Sequence, residues 1–146
     1  MFKRVLLCYD GSAAGRRALR RGADLSICLK SQVYVLSIIP AGTLDPVLAA
    51  GATGHACIVN DDRGYRQMLE ESVQWLKARG LAAEGYLASG DTVERILEYS
   101  NKLAVDLIVL GYYPRPTGGF WWSGGSRTTL AERAHCCILV AVDPEL

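Results

Sequence analysis

The chain has 146 residues, half of them hydrophobic and 21% charged, with a formal net charge of +1. That length suits one domain with one core over 1–146, and the near-neutral balance removes the electrostatic case for nucleic acid or an anionic membrane surface. Five cysteines (Cys8, Cys28, Cys57, Cys136, Cys137), none two residues from another, and two histidines (His55, His135) support neither a disulfide framework nor a zinc site.

Met1-Phe2-Lys3-Arg4 leads straight into a strand, with no secretory leader or cleavage site. Arg4–Tyr9 reads as a buried strand that Asp10-Gly11-Ser12 breaks. Ser12 has the chemistry of an N-cap, and Asp10 sits at the strand's carboxyl end. The helix expected over Ala13–Leu29 puts Ala14, Ala18, Gly22, Leu25 and Leu29 on one side. Arg16, Arg17, Arg20, Arg21 and Asp24 take the other, which reads as a solvated face. Gln32–Ile39 is a second strand, stopped by Pro40. Residues 40–60 are rich in glycine, alanine and proline without periodicity, a long loop of the functional or mobile kind. Only Asp45 is charged between Val33 and Val59, but Pro40, Gly42, Pro46, Gly51 and Gly54 break the stretch. No apolar run of about 20 residues exists, so no membrane span is expected.

Asp61-Asp62 favour the positive end of a second helix, which carries Tyr65, Met68, Leu69, Ser72 and Leu76 on one face and ends near Gly80. Ala83–Ala88 is a short third strand. Asp91 and Glu94 have capping-box spacing at the next helix, with Val93, Ile96, Leu97 and Ser100 inward. A fourth apolar strand, Val105–Gly111, runs into a loop containing Gly118, Gly119, Gly124 and Gly125. Ser126-Arg127-Thr128-Thr129 then precede a short helix to Ala134, and Cys137–Val142 is a last run, apolar on both faces. The cysteines read as buried thiols of a reduced, cytoplasmic protein.

Five strands alternate with four helices. The expected fold is therefore α/β: a single open five-stranded parallel sheet with helices on both faces, Rossmann-like, in the order 3-2-1-4-5. Ligands of such sheets bind beyond the strands' carboxyl ends where the order reverses. Asp10-Gly11-Ser12 and the loop from Gly111 would meet there, and a strand that passes through glycines into a helix start is suited to phosphate. The dinucleotide fingerprint is absent. Gly119, four residues, then Gly124-Gly125-Ser126 has P-loop spacing, but Gly125 stands where the lysine must be. Ser12 lacks an obvious base, since neither His55 nor His135 is evidently placed to serve it. On the residues alone, Asp10 also fits a simple turn former. Trp121 and Trp122 fit a hydrophobic filling or a protein contact as well as base stacking.

Four stretches together resemble the universal stress proteins of the UspA type across the whole chain: Val5–Ser12, Gly90–Leu97, Asp106–Gly111 and Cys137–Ala141. The nucleotide-binding branch of that family carries Gly, two residues, Gly, nine residues, Gly, then Ser or Thr. Gly111 and Gly124 match the first and third positions. Pro114 and Gly125 occupy the second and fourth, with Ser126 one place late. Proline offers a phosphate no N–H and fixes φ at about −65°. The resemblance implies a bound adenine nucleotide, ATP or AMP with Mg, held without significant turnover. Asp10 would lie near it beside Tyr9, Ile38 would meet the adenine, and Gly111, beside Leu110, would meet the ribose. Gly124, Gly125, Ser126 and Arg127 would surround the phosphates. It also implies a cytoplasmic homodimer formed through strand 136–142. The alternative is a member that no longer binds nucleotide and acts through protein contacts.

Overall fold

The alternation of apolar runs with amphipathic segments produces nine elements in the computed structural model, which describes residues 1–40, 62–112 and 126–142. They are β1 (Arg4–Cys8), α1 (Ala13–Leu29), β2 (Gln32–Pro40), α2 (Asp62–Ala78), β3 (Ala83–Gly90), α3 (Thr92–Lys102), β4 (Leu107–Tyr112), α4 (Ser126–Arg133) and β5 (Cys137–Val142). All strand pairs are parallel, and the sheet order is β3-β2-β1-β4-β5, as the sequence predicts.

Central strands buried on both faces need apolar residues at every position. Val5, Leu7, Val33, Val35, Leu107 and Val109 point to one face and pack with Ala18, Leu19 and Ala23 of α1 and Leu69, Val73 and Leu76 of α2. Leu6, Cys8, Leu36, Ile38, Ile108 and Leu110 point to the other, against Val93, Ile96 and Leu97 of α3 and Leu130 of α4. α1 meets the sheet through small residues: a Cβ on Gly22 would lie 2.3 Å from Leu7 Cδ2. Leu25 and Leu29, expected on the same side, are only half-buried.

Three helices end alike, with a left-handed residue whose successor's N–H reaches back to the last turn. Ser31 N–H bonds Ser26 O after Lys30 (φ 55°), Leu81 N–H bonds Leu76 O after Gly80 (φ 86°), and Val105 N–H bonds Ser100 O after Ala104 (φ 49°). Val105 thus closes α3 rather than opening β4, so the strand starts two residues later than the sequence suggests. β3 runs on to Gly90 because β2 stays paired with it as far as Pro40. Asp91 caps α3, accepting the Glu94 N–H at 2.9 Å. The reciprocal half of the capping box is replaced, since the Glu94 carboxylate binds the Arg133 guanidinium of α4 at 2.5 and 3.2 Å.

The expectation of uniformly buried thiols is corrected. Cys8 is buried, but Cys28 and Cys137 are exposed and Cys136 is half-buried. β5 is apolar yet lies at the sheet's edge, leaving Val140 42% and Val142 51% exposed. Hydrophobic composition alone does not separate an edge strand from a central one. Among the described residues no helix is long and apolar enough to cross a membrane. Cys57, the 41–60 part of the expected loop, Asp61, and residues 113–125 and 143–146 lie outside the described residues.

Candidate functional site

The strand lengths make a notch at the sheet's carboxyl end. β1 stops at Cys8, opposite Leu36, while β2 continues to Pro40. β4 likewise runs past β1 to Tyr112, paired there with β5. Four extra residues give the β2 wall a height of about 13 Å. The notch lies over the end of β1, between β2 and β4, where strand order reverses.

Tyr9 and Asp10 form its floor. Tyr9 is fixed from both sides: its N–H donates to Leu36 O at 2.9 Å, and its carbonyl accepts from the buried Ser37 hydroxyl at 2.8 Å. Leu36 turns its carbonyl toward β1, and the two-residue repeat of a strand turns the Ile38 backbone the same way, past the end of β1. Ile38's side chain is 1% exposed and lies in the core on the α3 side. Backbone is therefore what Ile38 offers the notch. Leu110 is also a core side chain, against Leu130 of α4.

Asp10 is a turn former. Its Oδ1 accepts from the Ser12 N–H at 2.9 Å and from the Ser12 hydroxyl at 2.5 Å, while Ser12 Oγ accepts the Gly15 N–H at 2.9 Å as the N-cap of α1. The carboxylate is folded so closely over the helix start that a Cβ on Gly15 would lie 2.4 Å from Oδ1. Gly11 takes φ 81°, a value that favours glycine, and a Cβ there would meet Met68 Sδ at 2.5 Å. α2 thus covers the turn, with Met68 on Gly11 and Tyr65 close enough to feel the Asp10 charge. Burial pushes the Tyr9 phenol up, Arg16 draws it down, and Asp10 and Glu71 push it up further. Burial, then Asp10, raises Tyr65.

Gly111 is placed by packing: a Cβ would fall 2.4 Å from Ala14 O and 2.9 Å from Gly15 N. The β4 backbone therefore lies directly on the first turn of α1. Tyr9, Asp10, Ile38, Leu110 and Gly111 are brought to one sheet end, and Ser126 and Arg127 open α4. Pro114, Trp121, Trp122, Gly124 and Gly125 lie outside the described residues. Sequence reasoning passed over Ser37 and Met68. A lone serine in the apolar run of β2 was a usable signal for the first; the second reads as one of the residues on the apolar face of its helix, and its place over Gly11 follows only once α2 is docked. It also passed over Asp106, at the opposite end of the sheet, whose carboxylate accepts the Lys3 and Arg4 N–H groups at 2.8 and 3.1 Å and ties β1 to β4.

A doubly wound parallel sheet with a notch at the strand reversal defines an α/β domain of the Rossmann-like class. The profile of the universal stress protein family matches residues 1–142, and the chain belongs to that family. It is 28% identical over 120 residues to universal stress protein YxiE of Bacillus subtilis (strain 168), covering 76% of this chain and 79% of that one. Two solved structures share the fold at low identity. One is a universal stress protein in complex with cAMP (19% identity, TM-score 0.66, 95% of this chain and 96% of that one). The other is the universal stress protein from Archaeoglobus fulgidus in complex with dAMP (15% identity, TM-score 0.61, 96% and 97%).

Proposed function

We propose that the protein is a cytoplasmic stress-response module that holds an adenine nucleotide, ATP or AMP with or without Mg, in the notch between β2 and β4. The observation that carries this reading is the notch itself, with the Ile38 backbone on one wall, Gly111 on the other and Tyr9-Asp10 beneath. Ile38 takes the adenine edge through backbone groups and Gly111, beside Leu110, lies along the ribose. The start of α4, with Ser126 and Arg127 and the preceding Gly124 and Gly125, serves the phosphates. That relatives of this fold carry cAMP and dAMP supports an adenine ligand.

Binding is proposed without significant turnover. Hydrolysis needs a metal held by carboxylates and a positioned water, and Asp10 has its Oδ1 engaged by Ser12. The protein acts as a homodimer through β5, whose apolar edge would otherwise stand open.

One observation favours a second reading, a member that acts through protein contacts alone. Asp10 is folded onto α1 and Met68 sits on Gly11, while proline and glycine occupy two positions of the family's nucleotide motif (Pro114, Gly125). Mass spectrometry of protein denatured straight after purification, with titration of labelled ATP, separates the two. Retained adenine nucleotide supports the first; no saturable binding up to about 1 mM leaves the second.

A further inference from the structure

Four arginines occupy the outer face of α1: Arg16, Arg20 and Arg21 are exposed and Arg17 half-buried. Local electrostatics argue against them. The helix has no acid in its first turn, Arg16 near its N-terminus opposes the macrodipole, and Arg16 and Arg20 are like charges four apart. Asp24, the acid on the same face, is drawn away to Arg79 of α2 at 2.6 Å. Among the described residues Arg16, Arg20 and Arg21 form no ion pair. A second feature shares the ridge. Ile27 is 41% exposed, and at 3.6 residues per turn it falls within about 20° of both Arg16 and Arg20.

We propose that the Arg16–Arg20–Ile27 ridge of α1 is a docking surface for an acidic segment of a partner protein, with carboxylates toward Arg16 and Arg20 and one apolar side chain on Ile27, while Arg21, about 100° round the helix from Arg20, flanks the ridge. The arginines four apart stand about 6 Å from each other, the spacing of carboxylates four apart on a facing helix. Guanidinium forks pair with carboxylates in two parallel hydrogen bonds. Arginine beside an exposed apolar residue is the composition of a protein interface. A whole-chain charge of +1 gives no long-range field for nucleic acid. A single exposed apolar side chain on α1 is little for membrane insertion.

The test uses the full chain and a labelled helical peptide of about five turns, carrying glutamates four apart and one leucine on the same face. Fluorescence anisotropy should show saturable binding that weakens as salt rises from about 50 to about 300 mM. Binding should fall at least about tenfold in R20E/R21E and about threefold or more in I27S. A peptide with lysines in place of glutamates should bind R20E/R21E better than it binds the wild type. The same variant should melt within a few degrees of wild type, because the carboxylate introduced at position 20 stands one turn from Arg16, which offsets its nearness to Asp24. The proposal is overturned by an acidic peptide that does not bind, by binding indifferent to R20E/R21E, by a melting temperature that drops several degrees in that variant, or by tighter binding of single-stranded DNA or phosphatidylserine vesicles.

Discussion

A Cβ placed on Gly111 would lie 2.4 Å from the Ala14 carbonyl oxygen, so β4 and the first turn of α1 meet backbone to backbone beside the notch. Neither neighbour is a flexible side-chain end that could move aside. Gly111→Ala should therefore lower stability by about 1–3 kcal/mol, read as a drop of several degrees in melting temperature without ligand. An unchanged midpoint would mean that this contact is looser than described.

Much of the architecture was legible in the sequence because its signals are redundant. Continuous apolar runs fix parallel buried strands, and Asp10-Gly11-Ser12 marks a strand end, a turn and a cap at once. The gaps have physical reasons. A strand's own residues do not say whether it lies at an edge, so Cys137 of β5 and Cys136 just before it read as buried. Val105 is β-branched and apolar, and its capping of α3 depends on the left-handed Ala104, which no sequence rule for glycine detects. Gly111 stood out as glycine, but the cause, contact with Ala14, requires α1 to be docked first.

Ala104 and Lys30 hold left-handed conformations at φ 49° and 55° after α3 and α1, where α2 has Gly80 at φ 86°. An L-residue pays about 1–2 kcal/mol there, against about 0.4–1 kcal/mol of added unfolded-state freedom for glycine. Ala104→Gly and Lys30→Gly should each stabilise the protein by about 0.5–1 kcal/mol in urea unfolding. Destabilisation by either would show that the cap geometry is wrong.

The tie between α3 and α4 depends on pH. The Arg133 hydrogen bond holds the Glu94 carboxyl below its ordinary 4.5, desolvation works against this, and the charges of Arg133 and Arg95 add to the lowering. The folded state thus binds the Glu94 proton more weakly than the unfolded chain. The contribution is complete above the ordinary glutamate range and fades as pH falls through the lowered value. Wild type should melt above E94Q at neutral pH, and the two curves should converge in acid; a gap that persists or widens there would contradict the assignment.

Thiol reactivity follows position in the fold. Burial first, then Asp10 and Cys136, push the Cys8 thiol far up, whereas Cys28 and Cys137 are exposed. Iodoacetamide at about pH 8 should label Cys28 and Cys137 in the native protein and Cys8 only on unfolding. Peptide mapping that finds Cys8 labelled early would show that the end of β1 opens readily.

The central claim is that an adenine nucleotide occupies the notch over β1. Amide NMR of the labelled protein during titration with ATP or AMP tests it most directly. Shifts should concentrate at Tyr9, Asp10, Ile38, Gly111, Ser126 and Arg127 and saturate below about 1 mM. An unchanged spectrum, or shifts centred elsewhere on the sheet, would contradict the account and leave a scaffold that works through its surfaces.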